Sequence, residues 1–108
     1  VFNPISIWNF ANNLKYIFEN KEKFSRKTVH VSGSEICTKY DFGMTLLNEL
    51  DLPTNNVKKG KIIDYVDRAK RSTDQTLSCK LFEQLSENKL PNLKETIQEI
   101  KINYNEKY

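Results

Sequence analysis

Few residues in this chain have the side chains that catalysis usually needs. His30 is the only histidine, and the only cysteines are Cys37 and Cys79. A nucleophilic pair of either thiol with His30 would need surroundings that lower the thiol pKa, and nothing in the sequence around either cysteine provides them. A structural zinc site takes four closely spaced ligands, and these three residues are far apart. We therefore predict no catalytic residue and no metal site.

Cofactor loops are also missing from the sequence. The chain has three glycines in 108 residues, so neither a G-x-G-x-x-G pattern nor a Walker loop is present. The triplet Asp41-Phe42-Gly43 has the letters of the kinase magnesium triplet, but the rest of the kinase signature is lacking. We predict no cofactor and a protein that is not an enzyme.

Positive charge is the remaining signal, and it is concentrated in two segments. Residues 58–71 contain six lysines and arginines against two aspartates, and residues 21–30 contain four against one glutamate. Such a surface could bind phosphates or an acidic peptide, or it could be a solvated helix face. With one aromatic anchor near the first helix, the candidate partner-binding residues are Trp8, Lys58, Lys59, Lys61, Tyr65, Arg68, Lys70 and Arg71.

The first half of the chain predicts helices around a short extended stretch. Asn3-Pro4 is a favourable helix start, and an apolar stripe predicts a helix over 4–20 that faces the core. Residues 28–31 predict a short strand or an extended connector. Ser32 and Glu35 form a capping-box pattern that predicts a helix over 33–40. The stripe of the first helix comprises Ile7, Phe10, Ala11, Leu14, Ile17 and Phe18.

The second half continues with four helical patterns. A leucine-rich segment predicts a buried helix over 42–51 that stops before Pro53, and further apolar spacing predicts helices over 56–71 and 74–87. Asn92 with Glu95 predicts the start of the last helix. The fold class is therefore all-α, a compact bundle of five to six short helices in one domain, 1–108. Because it begins at Val1, the chain reads as excised from a larger protein.

Two segments resemble known helical modules. Residues 32–50, SGSEICTKYDFGMTLLNEL, resemble a helix-turn-helix, and Val29 with Val31 would extend it to a winged-helix-like core. The second helix of that motif lacks the basic and amide side chains that read DNA, which favours a protein partner. Residues 61–85 are similar to the last two helices of the TFIIS N-terminal module, a bundle that docks peptides in transcription and chromatin factors. The tryptophan that commonly ends that module is replaced by Leu85-Ser86.

The leading functional hypothesis is a non-enzymatic, helical protein–protein interaction domain of an intracellular protein, with a nuclear location as one option. Its partner would be another protein or a second copy, bound through a groove or a helix face. Exposure of the aromatic residues Trp8, Phe24, Tyr65 and Tyr104 would support this hypothesis. The alternative is a nucleic-acid-binding module that uses the basic segments 21–30 and 58–71. No stretch approaches the ~20 apolar residues of a membrane span, so no membrane partner is expected.

Overall fold

The computed structural model describes residues 1–61, 67 and 69–107 of the chain. The predicted all-α class is confirmed, because these residues form five helices and no sheet. No helix among them is both long and apolar enough to cross a membrane. In chain order the helices are α1 (Ile7–Glu19), α2 (Lys21–Phe24), α3 (Lys39–Glu49), α4 (Lys80–Ser86) and α5 (Leu93–Lys107).

Helix α1 begins later than its sequence pattern predicts. Its N-cap is Ser6, whose side-chain oxygen accepts a hydrogen bond from the backbone N–H of Asn9 at 3.1 Å. Asn3 and Pro4 lie before the helix in the N-terminal segment. A serine hydroxyl at the N-cap satisfies a backbone donor that the helix leaves free. The prediction that Asn3-Pro4 begins the first helix is therefore wrong, because the side chain of Asn3 makes hydrogen bonds with other segments of the chain.

The orientation of α1 is the largest departure from expectation. Most of its apolar stripe faces outward, and no residue of the helix is fully buried. Ile7 is 71% exposed and Phe18 is 63% exposed, whereas Tyr16 and Ile17 pack against the core. The predicted inward stripe is thus wrong for all its residues except Ile17.

Residues 28–38 form a non-helical segment between α2 and α3, with a bend at Ser34 and Glu35. The predicted helix over 33–40 is wrong for residues 33–38, and residues 28–31 form a connector rather than a strand. Phe2 and Cys37 make an antiparallel bridge with N–H···O distances of 2.9 and 2.8 Å. Because the N-terminal segment supplies these backbone partners, the segment does not need helical hydrogen bonds. Buried Ser32 accepts from the side chain of Asn3 instead of capping a helix.

Helix α3 is shifted toward the N-terminus relative to the predicted range 42–51. Thr38 caps it, and the Thr38 hydroxyl accepts from the N–H of Asp41 at 3.0 Å. No residue of α3 is fully buried, so its predicted burial is wrong. Phe42 lies in the first turn of α3, and its ring contacts the ring of Phe2 with centroids 5.9 Å apart. Leu52, just beyond the helix, is 38% exposed.

The chain between α3 and α4 is not helical where it is described. The helix predicted over 56–71 is absent from residues 57–61 and 69–71, while 62–66 and 68 lie outside the described residues. The helix predicted over 74–87 is reduced to α4. The hydrogen bonds of Ser72 and Asp74 form local turns, and the Asp74 carboxylate accepts from both the backbone and the hydroxyl of Thr76. Such side-chain bonds give the backbone an alternative to helix formation.

The buried core is built from aromatic rings and from residues that flank the helices. Phe82 is fully buried and stacks on Phe24 with ring centroids 5.7 Å apart, and Tyr16 meets both rings edge-on. Leu90 and Cys79 complete this cluster. The predicted start of α5 is confirmed, because the side chain of Asn92 accepts from Glu95 N–H while the Glu95 carboxylate accepts from Asn92 N–H.

Candidate functional site

The basic segment 58–71 lies between α3 and α4, and it is called the basic loop below after its described residues 58–61, 67 and 69–71, none of which is helical. Five of its candidate cations are described, and all five are exposed to solvent. The ion pairs found among the described residues are Lys15 with Glu19 and Lys101 with Glu49, so none involves this loop. Among the described residues, the cations of this segment therefore make no ion pair. The five described cations are Lys58, Lys59, Lys61, Lys70 and Arg71; Tyr65 and Arg68 lie outside the described residues.

The start of the basic loop rests on α3. The Lys59 ammonium lies 5.8 Å from the centroid of the Tyr40 ring, which is partly buried. A cation over an aromatic face gains about 0.5–1 kcal/mol at an exposed site. Just before the loop, Val57 N–H donates to Thr54 O at 3.1 Å. These contacts hold the first lysines near the surface of α3.

The residues after the basic loop are fastened to the N-terminus of the chain. The backbone nitrogen of Val1 lies 2.7 Å from Thr73 O, and Gln75 N–H donates to Val1 O at 2.9 Å. The Asp74 carboxylate accepts hydrogen bonds from the hydroxyl and the N–H of Thr76, and these bonds lower the pKa of Asp74. Asp74 is thus ionised and already engaged. Contacts therefore hold the described chain at two points, Lys59 and the residues Thr73 to Gln75.

Asn3 is the junction that fixes the second of these points. Its side-chain nitrogen lies 2.8 Å from Ser32 Oγ, 2.9 Å from Gly33 O and 2.8 Å from Leu77 O. Its side-chain oxygen accepts from Leu77 N–H at 3.0 Å. An amide nitrogen has two hydrogens, so the three acceptors share them. Sequence reasoning missed this role, because an asparagine before proline looks like a helix start.

The second basic segment does not join the first. Lys21, Lys23, Arg26 and Lys27 are exposed around α2, and no hydrogen bond, ion pair or ring contact among the described residues links them to the basic loop. Lys23 donates to the Tyr16 hydroxyl at 2.9 Å, and this bond raises the pKa of the lysine.

Trp8 lies apart as well. Its ring is 37% exposed on α1, and within the described chain no such contact joins it to the basic loop. The described loop cations share a segment in sequence, and no contact in the described chain adds Trp8 to them.

The thiols are unsuited to nucleophilic chemistry. Burial raises the pKa of the Cys79 thiol, and the Glu83 carboxylate, 3.7 Å from the sulfur, raises it further. Burial also raises the pKa of Cys37, with Asp41 as the next cause. His30 is exposed. Within the described residues no three Cys, His, Asp or Glu side chains are grouped as metal ligands.

Comparison with known protein families shows which family this chain belongs to. The model of the RmlD substrate binding domain matches residues 2–105, nearly the whole chain. The chain belongs to the RmlD substrate binding domain family. This domain occurs in the dTDP-sugar epimerases and reductases, which are enzymes. No curated protein sequence and no solved structure matches the chain.

Membership of the RmlD family corrects the functional predictions. The hypothesis of a non-enzymatic interaction domain is wrong, and so are the nucleic-acid alternative and the nuclear, transcription and chromatin associations. The likenesses to a winged helix and to the TFIIS module came from apolar spacing and caps, which unrelated helices share. Positive charge was also ambiguous, since a sugar nucleotide carries phosphates as a nucleic acid does.

The partner-binding residues, the partners and the single domain over 1–108 stay predictions, because nothing in the fold or the family match tests them.

Proposed function

We propose that this chain forms the substrate-binding part of a sugar-nucleotide epimerase or reductase. The observation that carries the proposal is the family match over residues 2–105. The chemistry of the described surface agrees with it, because binding and orienting an anionic substrate needs fixed cations more than nucleophiles. The residues that would meet the phosphates lie in the basic loop.

The basic loop suits a diphosphate in charge. A nucleoside diphosphate sugar carries negative charge on adjacent phosphates, and lysine is a common phosphate ligand that acts as a point charge. Lys58, Lys59 and Lys61 are exposed, and no described carboxylate forms an ion pair with them. Flexible ammonium groups at this spacing can reach different phosphate oxygens of one ligand.

Fastening of the loop ends supports the same role. Ordering a loop on binding costs free energy, and contacts that exist before the ligand arrives reduce that cost. Two such contacts are present. Lys59 contacts Tyr40 near the start of the segment, and Val1 contacts Thr73 and Gln75 just after its end. Contacts therefore hold the described residues at Lys59 and at Thr73 and Gln75 before a ligand arrives.

Reduction of the substrate also needs a hydride donor. The described residues do not form a binding turn for a nicotinamide dinucleotide. Nicotinamide dinucleotides usually bind a glycine-rich turn at a helix start. Gly33 is packed against Pro4 and Gly43 lies inside α3, so neither belongs to such a turn. No other glycine remains except Gly60 in the basic loop. The chain's own residues accordingly bind and orient the substrate in this proposal.

Titration of the natural polypeptide that carries these residues with dTDP-glucose tests the proposal. The triple variant Lys58→Gln, Lys59→Gln, Lys61→Gln should weaken binding by about tenfold, since each lost phosphate contact contributes on the order of 0.5 kcal/mol near a solvated surface. Its matched control is the triple variant Lys21→Gln, Lys27→Gln, Lys94→Gln, which removes the same charge from other exposed lysines.

The control variant should bind dTDP-glucose as the unmodified protein does. Affinity of the unmodified protein should also fall with added salt, and less steeply in the loop variant. If the two variants bound dTDP-glucose equally well, the basic loop would not be part of the binding site. Absence of any binding by the unmodified protein at millimolar dTDP-glucose would reject the proposed function.

A further inference from the structure

We propose that Asn3 is a positioning residue for two cations at the end of the basic loop, Lys70 and Arg71, and thereby controls how tightly the loop holds the phosphates of its substrate. This inference rests on the proposed function and deepens it, because it assigns a second pair of cations to the same site and names the side chain that orients them. Asn3 does not touch the substrate itself. It acts through a series of hydrogen bonds that runs from its amide group to the residue beside Arg71.

The first step of this series is the pairing between Asn3 and Leu77. The Asn3 side-chain oxygen accepts from Leu77 N–H at 3.0 Å, and its side-chain nitrogen lies 2.8 Å from Leu77 O. A side chain that meets both backbone groups of another residue holds that residue in one orientation. The same nitrogen lies 2.8 Å from Ser32 Oγ and 2.9 Å from Gly33 O, and both of these residues are buried. Leu77 is thus attached to the body of the chain although its own side chain is 47% exposed.

The next steps lie between Leu77 and the basic loop. The Asp74 carboxylate accepts from the N–H of Thr76 at 3.0 Å and from its hydroxyl at 2.7 Å. The Ser72 hydroxyl donates to Asp74 O at 2.8 Å and accepts from Asp74 N–H at 3.2 Å. Thr76 is the direct neighbour of Leu77 in the chain, and Ser72 is the direct neighbour of Arg71. Hydrogen bonds and chain neighbours therefore connect Leu77 with Arg71 without a gap.

Backbone bonds of Val1 support the same stretch. The backbone nitrogen of Val1 lies 2.7 Å from Thr73 O, and Gln75 N–H donates to Val1 O at 2.9 Å. Because a chain extends by at most about 3.6 Å per residue, the Cα atom of Arg71 lies within about 7 Å of that of Thr73, and the Cα atom of Lys70 lies within about 11 Å of it. Both cations are exposed, and both start from a backbone that is held nearby.

Lys70 and Arg71 have the side chains that phosphate binding requires. A guanidinium can bind a phosphate through two parallel hydrogen bonds, and an ammonium adds a point charge. No described carboxylate forms an ion pair with either side chain. The Asp74 carboxylate, close to them in sequence, accepts two hydrogen bonds from Thr76 instead, and these bonds lower its pKa. The pair therefore offers a bidentate contact and a point charge to neighbouring phosphates.

Loss of the Asn3 amide would move the cost of ordering this stretch to the binding step. Fixing the backbone of a residue costs conformational entropy, and the ligand must supply the free energy when the fold does not. In Asn3→Ala the bonds to Leu77 are lost while the backbone bonds of Val1 remain, so the stretch is loosened rather than released. We expect the Kd for dTDP-glucose to rise about fivefold, the effect of ordering about one residue on binding.

A double-mutant cycle, measured by titration of the natural polypeptide with dTDP-glucose, tests this inference. In the otherwise unmodified protein, the double substitution Lys70→Gln, Arg71→Gln should raise Kd about fivefold through two lost surface contacts. In the Asn3→Ala background the same double substitution should raise Kd less than about twofold, because cations that are no longer positioned contribute little. If Asn3 only stabilised the fold, the two effects would multiply to a loss of about 25-fold.

Two further variants separate positioning from folding. Leu85→Ala shortens a partly buried side chain that packs against the core, so it should lower the urea midpoint and leave the Kd of the folded protein unchanged. Ser72→Ala breaks the exposed turn beside Arg71 and should raise Kd about threefold with little loss of stability. If Asn3→Ala did not fold, Ser72→Ala would take its place in the cycle.

The outcomes distinguish this inference from the proposed function. An unchanged Kd in Asn3→Ala and Ser72→Ala, or independent effects in the cycle, would overturn the inference and leave the proposed function standing. A rise of Kd in Leu85→Ala as large as that in Asn3→Ala would also overturn it, because lost stability would then explain both. Absence of binding by the unmodified protein at millimolar dTDP-glucose would reject the proposed function, and this inference with it.

Discussion

The substitution Gly33→Ala tests the close contact between Gly33 and the N-terminal residues Asn3 and Pro4. Gly33 is buried, and its N–H donates to Asn3 O at 3.3 Å. A Cβ at this position would collide with Pro4 O, would lie 3.0 Å from the Pro4 carbonyl carbon and would lie 3.5 Å from Pro91 O. All three atoms belong to the backbone and cannot rotate away as a side chain can. The two segments must therefore move apart.

The cost of the Gly33→Ala substitution follows from what that movement breaks. The hydrogen bond from Gly33 to Asn3 and the 2.8 Å bond from Ser34 N–H to Pro91 O lie at the contact. Losing two buried hydrogen bonds costs about 1 kcal/mol each, and forcing an extra methyl group into a packed site costs about 1–3 kcal/mol. We expect the free energy of unfolding to fall by about 3–5 kcal/mol, a large part of the roughly 5–15 kcal/mol of an ordinary domain.

Gly43→Ala is the matched control, with the opposite sign. Gly43 lies inside α3, and a Cβ there would meet no atom within 4 Å. Alanine is favoured over glycine in a helix by about 0.5–1 kcal/mol, because glycine loses more backbone entropy. The same methyl group should therefore stabilise the protein at one position and destabilise it at the other.

Urea unfolding followed by circular dichroism measures both free energies. The slope with urea should stay constant, so that the shift in midpoint reports stability alone. A loss below 1 kcal/mol in Gly33→Ala would contradict the described crossing of the segments. A loss above about 0.5 kcal/mol in Gly43→Ala would contradict the open surroundings of that position.

Three further predictions concern the junction, the core and the thiols. Asn3→Ala should lower the free energy of unfolding by about 2–3 kcal/mol through lost hydrogen bonds, and Asn12→Ala on the exposed side of α1 should change it by less than about 0.5 kcal/mol. By the same measurement Phe82→Ala, which empties a fully buried site, should cost about 3–5 kcal/mol, and Leu81→Ala, at a 39% exposed site, should cost much less. Because folding raises the pKa of Cys79, stability should decline as pH rises above the ordinary thiol pKa of about 8.5, and Cys79→Ala should remove that part of the decline.

Local sequence signals predicted those features that local hydrogen bonds determine. The start of α5 follows from Asn92 and Glu95, whose side chains and backbones satisfy one another within four residues. The leucine-rich segment predicted a helix where α3 lies, because spacing of apolar residues reports periodicity. The sequence also shows that positive charge is concentrated in residues 58–71. Its family, by contrast, followed only from comparison with known proteins, since positive charge alone does not distinguish one phosphate ligand from another.

Tertiary contacts decided the rest. The pattern of α1 revealed an apolar stripe but not which side the body of the chain would occupy, and Tyr16 with its neighbouring amides took that place. Residues 33–38 carry a capping pattern, yet backbone bonds from Phe2 and the side chain of Asn3 hold them extended. In each case the deciding partner lies far away in the sequence. Amino-acid spacing thus determined which segments could be helical or charged, and long-range hydrogen bonds and packing determined which of them became so and what they face.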